Sequence, residues 1–100
     1  MLTKEKIISL LEAHKREIKS YGVKKIILFG SYAQDRAKKE SDLDFLVEFM
    51  PGRGLYDDYV HLKLFLKNIF KKEIDLIKPN LIREELKSEI LEGKQIAAQI

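Results

Sequence analysis

Two aspartates one residue apart, Asp42 and Asp44, open the stretch Asp42-Leu43-Asp44-Phe45-Leu46-Val47-Glu48-Phe49. Its alternation predicts a strand over 42–49. Leu43, Phe45, Val47 and Phe49 fall on one face, and Asp42, Asp44, Leu46 and Glu48 on the other. Two strand rises put the aspartate Cα atoms about 6.5 Å apart. Carboxylates held this close repel each other unless a cation lies between them, and aspartate is in any case depleted in strands. A third acid, Asp75, lies in Glu73-Ile74-Asp75-Leu76-Ile77, facing opposite to Ile74 and Leu76. If the two strands are neighbours, three carboxylates can converge. An oxygen-only set selects a hard cation such as Mg²⁺. Glu48 and Glu73 share strand faces with these acids and read as flanking residues.

Ten residues separate Asp42 from Gly30-Ser31, which ends the apolar run Ile26 to Phe29. Glycine lets the backbone approach a ligand closely. A helix starting there offers unpaired N–H groups and a favourable dipole to an anion, and the Ser31 hydroxyl adds a donor. Alone, the pair reads as a tight turn with Ser31 as N-cap. Joined to the carboxylates and a metal, it describes a site for a nucleoside triphosphate.

The elements that position these residues follow from periodicity. Thr3 caps a first helix with Ile7, Leu11, His14 and Ile18 on its apolar stripe, ending at Gly22. His14 reads as the edge of that stripe. Ile26 to Phe29 is apolar throughout, as in a strand covered on both faces and hence central. A short helix from Ser31 to about Lys38 and a turn at Lys39-Glu40-Ser41 lead back to Asp42. Pro51-Gly52-Arg53-Gly54 is a flexible turn. Leu55, Tyr59, Leu62, Leu66 and Ile69 mark a second long helix, with Asp57-Asp58 at the positive end of its dipole and Lys71-Lys72 at the negative end. Tyr56 and Tyr59 read as packing residues. Glu73 to Ile77 is a short strand closed by Pro79. Leu81 to Leu91 forms a third long helix carrying Ile82, Leu86 and Ile90, and Gly93 ends it. Residues 94–100 are either a last strand or a turn.

One hundred residues make one domain with a modest core. With 45% hydrophobic and 35% charged residues, the chain reads as a soluble globular protein. It has no stretch of membrane-spanning length, and charged residues at Lys4, Glu5 and Lys6 interrupt any signal peptide. The absence of cysteine removes disulfides, thiolate metal sites and cysteine nucleophiles, and it fits a cytoplasmic location. Two histidines, His14 and His61, leave little basis for a zinc site. The net charge of +3 is mild, and the basic residues are scattered without interleaved aromatics. No direct nucleic-acid binding is expected.

Gly30-Ser31, ten residues, then Asp42-x-Asp44 resembles the signature of the DNA polymerase beta-like nucleotidyltransferases. The match is closest to their smallest members, the minimal nucleotidyltransferases (MNT) of bacteria and archaea, commonly encoded beside a HEPN-domain protein as an antitoxin. The resemblance spans nearly the whole chain. It implies an α/β (α+β) nucleotidyltransferase fold: a small mixed sheet of three to four strands packed against about four helices. Gly30 and Ser31 would hold the β- and γ-phosphates. Asp42 and Asp44 would bind two Mg²⁺ ions, and Asp75 would hold the metal at the attacking hydroxyl and help deprotonate it. The implied activity is transfer of AMP from ATP to a hydroxyl, with a tyrosine of a partner HEPN RNase toxin as acceptor and neutralisation of that toxin as the result. Two other functions fit the same residues: an antitoxin acting by complex formation alone through the 55–70 helix, and a small-molecule nucleotidyltransferase. Homo- and hetero-oligomers both remain open. Many family members carry Arg-Gly where this chain has Gln34-Asp35. That substitution removes one possible phosphate contact, for which Arg36 is a candidate replacement.

Overall fold

A computed structural model describes residues 2–33, 37–38, 40–78 and 96–99. The described elements are α1 (Lys4–Ala13), α2 (Lys15–Ser20), β1 (Val23–Phe29), β2 (Leu43–Phe49), α3 (Tyr56–Phe70), β3 (Ile74–Ile77) and β4 (Ile96–Gln99). The four strands form one mixed sheet in the order β3-β2-β1-β4. β1 pairs antiparallel with both β2 and β4, and β2 pairs parallel with β3. The apolar run in β1 is therefore central, as its composition requires. Residues 96–99 resolve the choice left open for the chain's end in favour of a strand.

Alternation divides the sheet into two faces. Ile26 and Leu28 of β1, Leu43, Phe45 and Val47 of β2, and Ile74 and Leu76 of β3 enter the main core. Ile7 and Leu11 of α1, Ile18 of α2, and Leu62, Leu66 and Phe70 of α3 meet them there, so all the described helices cover one face. The Phe45 and Phe70 rings lie 6.0 Å apart at its centre. The opposite face carries Ile27, Phe29, Leu46 and the acidic residues of β2 and β3.

The N-terminal helix predicted to run unbroken to Gly22 is in fact two. Thr3 caps α1, its hydroxyl accepting from the Lys6 N–H at 3.2 Å. At His14 the backbone leaves helical geometry (φ −109°, ψ 18°) and α2 begins. The apolar stripe still registers across the break, because Ile7, Leu11 and Ile18 are all buried. Its edge position brings His14 edge-on to the Phe65 ring at 5.7 Å.

Two expectations for α3 change. Leu55 precedes the helix and is 74% exposed, and Tyr56 is 79% exposed, so neither packs in the core. Tyr59 does pack, and its hydroxyl donates to the Leu76 carbonyl at 2.8 Å, tying α3 to β3. The helix predicted over 81–91 lies outside the described residues.

The turn at 51–54 is more ordered than a proline-glycine turn need be. Arg53 forks onto Asp58, with its Nε 2.8 Å from Oδ2 and its second nitrogen 2.9 Å from Oδ1. The same guanidinium donates to the Ser20 carbonyl at the end of α2, at 3.0 Å. Asp58 also accepts the Gly54 N–H at 2.9 Å. Asp58 therefore does more than complement the helix dipole, since it joins the start of α3 to the end of α2. The Arg53 side chain crosses Gly22 (φ +84°), where a Cβ would lie 2.6 Å from the Arg53 Cβ.

This clamp should be visible in acid. The Arg53 and Gly54 donors hold the Asp58 carboxyl down to about 2, below its unfolded value of about 3.9. Its contribution is thus complete above about pH 4 and is lost as the pH falls toward 2. In paired urea melts Asp58→Asn should be less stable than wild type at pH 7, with the gap closing between pH 4 and pH 2. A gap independent of pH would show that the clamp does not depend on the ionised carboxylate.

Candidate nucleotidyl-transfer site

The site gathers at one edge of the sheet, where β1 ends and β2 and β3 begin. Phe29, the last residue of β1, pairs with Asp44. Gly30 follows with φ +79°, in the left-handed region that a side chain rarely adopts. A Cβ built on Gly30 would strike Oδ2 of Asp44 and lie 3.1 Å from its Cγ. The glycine therefore supplies both the backbone sense of the turn and the space into which the Asp44 carboxylate fits.

Ser31, Tyr32 and Ala33 form a turn. Tyr32 (3% exposed) and Ala33 (7%) anchor it in the core, while Ser31 stays half-buried at the surface. The short helix predicted from Ser31 to about Lys38 is not seen in the described residues, which form a turn at 31–33 and have no regular structure at Ala37 and Lys38. Gln34, Asp35 and Arg36 lie outside the described residues, as does the question of Arg36. The return turn before β2 is seen: the Ser41 N–H donates to the Lys38 carbonyl at 3.0 Å, and the Ser41 hydroxyl accepts from the Lys38 N–H at 2.9 Å.

The β2–β3 register brings the acids together. Leu43 pairs with Ile74, Asp44 with Asp75, and Phe45 with Leu76. A hydrogen bond from the Leu43 N–H to the Glu73 carbonyl (3.0 Å) closes the ladder at its start. Residues paired across adjacent strands sit about 4.8 Å apart, so Asp44 and Asp75 are immediate neighbours on one face. Unit charges at about 5 Å repel by about 1 kcal/mol in water and about 3 kcal/mol at an effective dielectric of about 20. Asp44 is half-buried and Asp75 exposed. Asp42 stands just ahead of β2, exposed, two residues from Asp44.

Among the described residues, no three acidic or histidine side chains form a ready-made metal cluster. The register delivers a pair, with Asp42 beside it. That set suits Mg²⁺, which is commonly held by one or two carboxylates together with substrate phosphates and water. The flanking acids are engaged elsewhere. Glu73 pairs with Lys67 at 2.9 Å, which lowers its carboxyl below the usual range through that hydrogen bond and charge. Glu48 lies 3.7 Å from Lys24. Both are surface ion pairs of small energetic weight.

Known proteins resemble this chain in both sequence and fold. The chain belongs to the nucleotidyltransferase-domain family, whose model matches residues 9–97. Its curated relatives include the Methanocaldococcus jannaschii protein MJ0435, whose provisional name is protein adenylyltransferase, at 43% identity over 88% of this chain and 86% of that protein. The protein adenylyltransferase MntA of Thermococcus cleftensis is 35% identical, covering 91% of this chain and 92% of MntA. A solved structure provisionally described as a minimal nucleotidyltransferase superposes with a TM-score of 0.67 at 29% identity, over 93% of this chain and 95% of that one. Two more distant structures share the fold. One is a toxin–antitoxin with AMP-PNP (TM-score 0.62, 23% identity, 98% of this chain and 72% of that one). The other is a tri-AMPylated Shewanella oneidensis HEPN toxin in complex with its MNT antitoxin (TM-score 0.58, 18% identity, 92% and 70%).

The Gly30–Asp44 contact predicts a measurable penalty. Gly30→Ala combines left-handed strain with the clash at Asp44 and should lower unfolding stability by about 1–3 kcal/mol in urea melts. An unchanged denaturation midpoint would mean that the turn does not press on Asp44.

Proposed function

We propose that the chain transfers AMP from ATP, with Mg²⁺, to a tyrosine hydroxyl of a partner HEPN RNase toxin, and so acts as its antitoxin. The observation that carries this reading is the direct pairing of Asp44 with Asp75 beside the Gly30-Ser31 turn. The names of the relatives, protein adenylyltransferases, support the acceptor class. The AMP-PNP complex supports ATP as donor, and the AMPylated HEPN toxin supports the partner.

In this reaction the acceptor oxygen attacks the α-phosphorus in line. A new phosphorus–oxygen bond forms, the α–β phosphoanhydride breaks and pyrophosphate leaves. Asp42, Asp44 and Asp75 would hold Mg²⁺, which when bound lowers the acceptor's pKa and neutralises charge on the attacking and leaving oxygens. Asp75, exposed on β3, would take up the hydroxyl proton. Gly30 and Ser31 offer backbone and hydroxyl donors to the β- and γ-phosphates, close against Asp44. Phe29 and Ile27, buried on the same face, back the site with a rigid apolar floor.

The test is label transfer from α-labelled ATP with Mg²⁺ to the partner toxin. Asp44→Asn keeps the size of the side chain and removes its charge. It should retain the fold by circular dichroism and cut transfer by more than the ~10–100-fold that loss of an outer-shell partner costs a metal site. Transfer at the wild-type rate in Asp44→Asn would end the assignment.

A further inference from the structure

We propose that Lys72 binds the triphosphate of the donor nucleotide, held in place by the ring of Tyr32; the inference rests on the nucleotidyl-transfer reading above. After α3 the chain reverses at Lys71, which adopts a left-handed backbone (φ 56°, ψ 39°) and returns its N–H to the Lys67 carbonyl at 2.9 Å. Glycine or asparagine is favoured at such a position. The reversal sends Lys72 toward the edge where β3 begins. The next residue, Glu73, accepts the Leu43 N–H through its carbonyl, so Lys72 stands one residue from the β2–β3 junction at which Asp42 enters.

From there the Lys72 ammonium reaches the face of Tyr32, 5.5 Å from the ring centroid, within cation–π range. Tyr32 immediately follows Ser31 and is only 3% exposed, so it is a fixed platform beside the phosphate turn. Lys67 pairs with Glu73 at 2.9 Å, and Lys71 reaches the Asn68 side chain at 3.3 Å. The turn Gly30-Ser31-Tyr32-Ala33 contains no cation, and the residues paired across the sheet beside it are anions. Lys72 brings a positive charge to the ring that directly follows Ser31. A compact ammonium on a long stem suits phosphate oxygens.

The experiment is calorimetric titration of wild type, Lys72→Met and Lys72→Arg with Mg-ATP and with AMP, alongside thermal melts. Losing one charge-assisted contact should weaken ATP binding by about tenfold or more in Lys72→Met. AMP affinity should be unchanged, the melting temperature should fall by no more than the few degrees a lost cation–π contact costs, and Lys72→Arg should keep most of the ATP affinity. Equal ATP affinity in Lys72→Met and wild type would overturn the inference and leave the nucleotidyl-transfer reading standing. An equal loss for AMP would also overturn it, because the lysine would then act through the fold. Wild-type protein that binds no Mg-ATP would sink the underlying reading itself.

Discussion

The register between β2 and β3 is the constraint from which the site follows. A slip of one residue would turn Asp44 toward the core and expose Phe45 and Leu43. The apolar residues of the two strands forbid that slip, because Leu43, Phe45, Ile74 and Leu76 are all buried. Hydrophobic burial on one face therefore holds two like charges side by side on the other. The repulsion between them is small against the loss of several buried side chains, each worth about 1.5–3 kcal/mol. The core can thus sustain an arrangement that electrostatics alone would dissolve, and a cation bound between the two carboxylates would turn that cost into binding energy.

Much of this was readable from residue order. The alternation in 43–49 and 74–77 told which way each acid faces, because a period of two leaves no freedom once one face is apolar. The unbroken run in β1 marked it as central for the same reason. What the sequence could not supply was adjacency. Nothing local says that β2 and β3 pair in parallel, or that Asp44 meets Asp75 rather than a neighbour of it, since strand pairing is settled by contacts distant along the chain. The break at His14 was invisible for the opposite reason: the apolar spacing continues smoothly through it.

The Arg53–Asp58 clamp was obscured by composition. Pro51, Gly52 and Gly54 announce a loose turn, and an acid in the first turn of a helix already has an explanation in the dipole. Neither signal reveals that a guanidinium from the turn spans Asp58 and the end of α2. Lys72 was hidden similarly, as one of two lysines at a helix end where positive charge is expected anyway. In both cases a sufficient local reason masked a specific long-range contact.

The intimacy of Gly30 with Asp44 also bears on how such chains can diverge. Two separate locks act on position 30: the left-handed backbone, and the volume already taken by a carboxylate. Drift that shortens the residue at 44 opens the second lock and leaves the first. Positions 30 and 44 are therefore expected to change in a fixed order, the acid first. A descendant retaining the aspartate should retain the glycine, while one that has abandoned it is free to admit asparagine at position 30, a residue that tolerates the same backbone. The identity of residue 30 would then serve as a fossil record of whether a lineage still uses its acid.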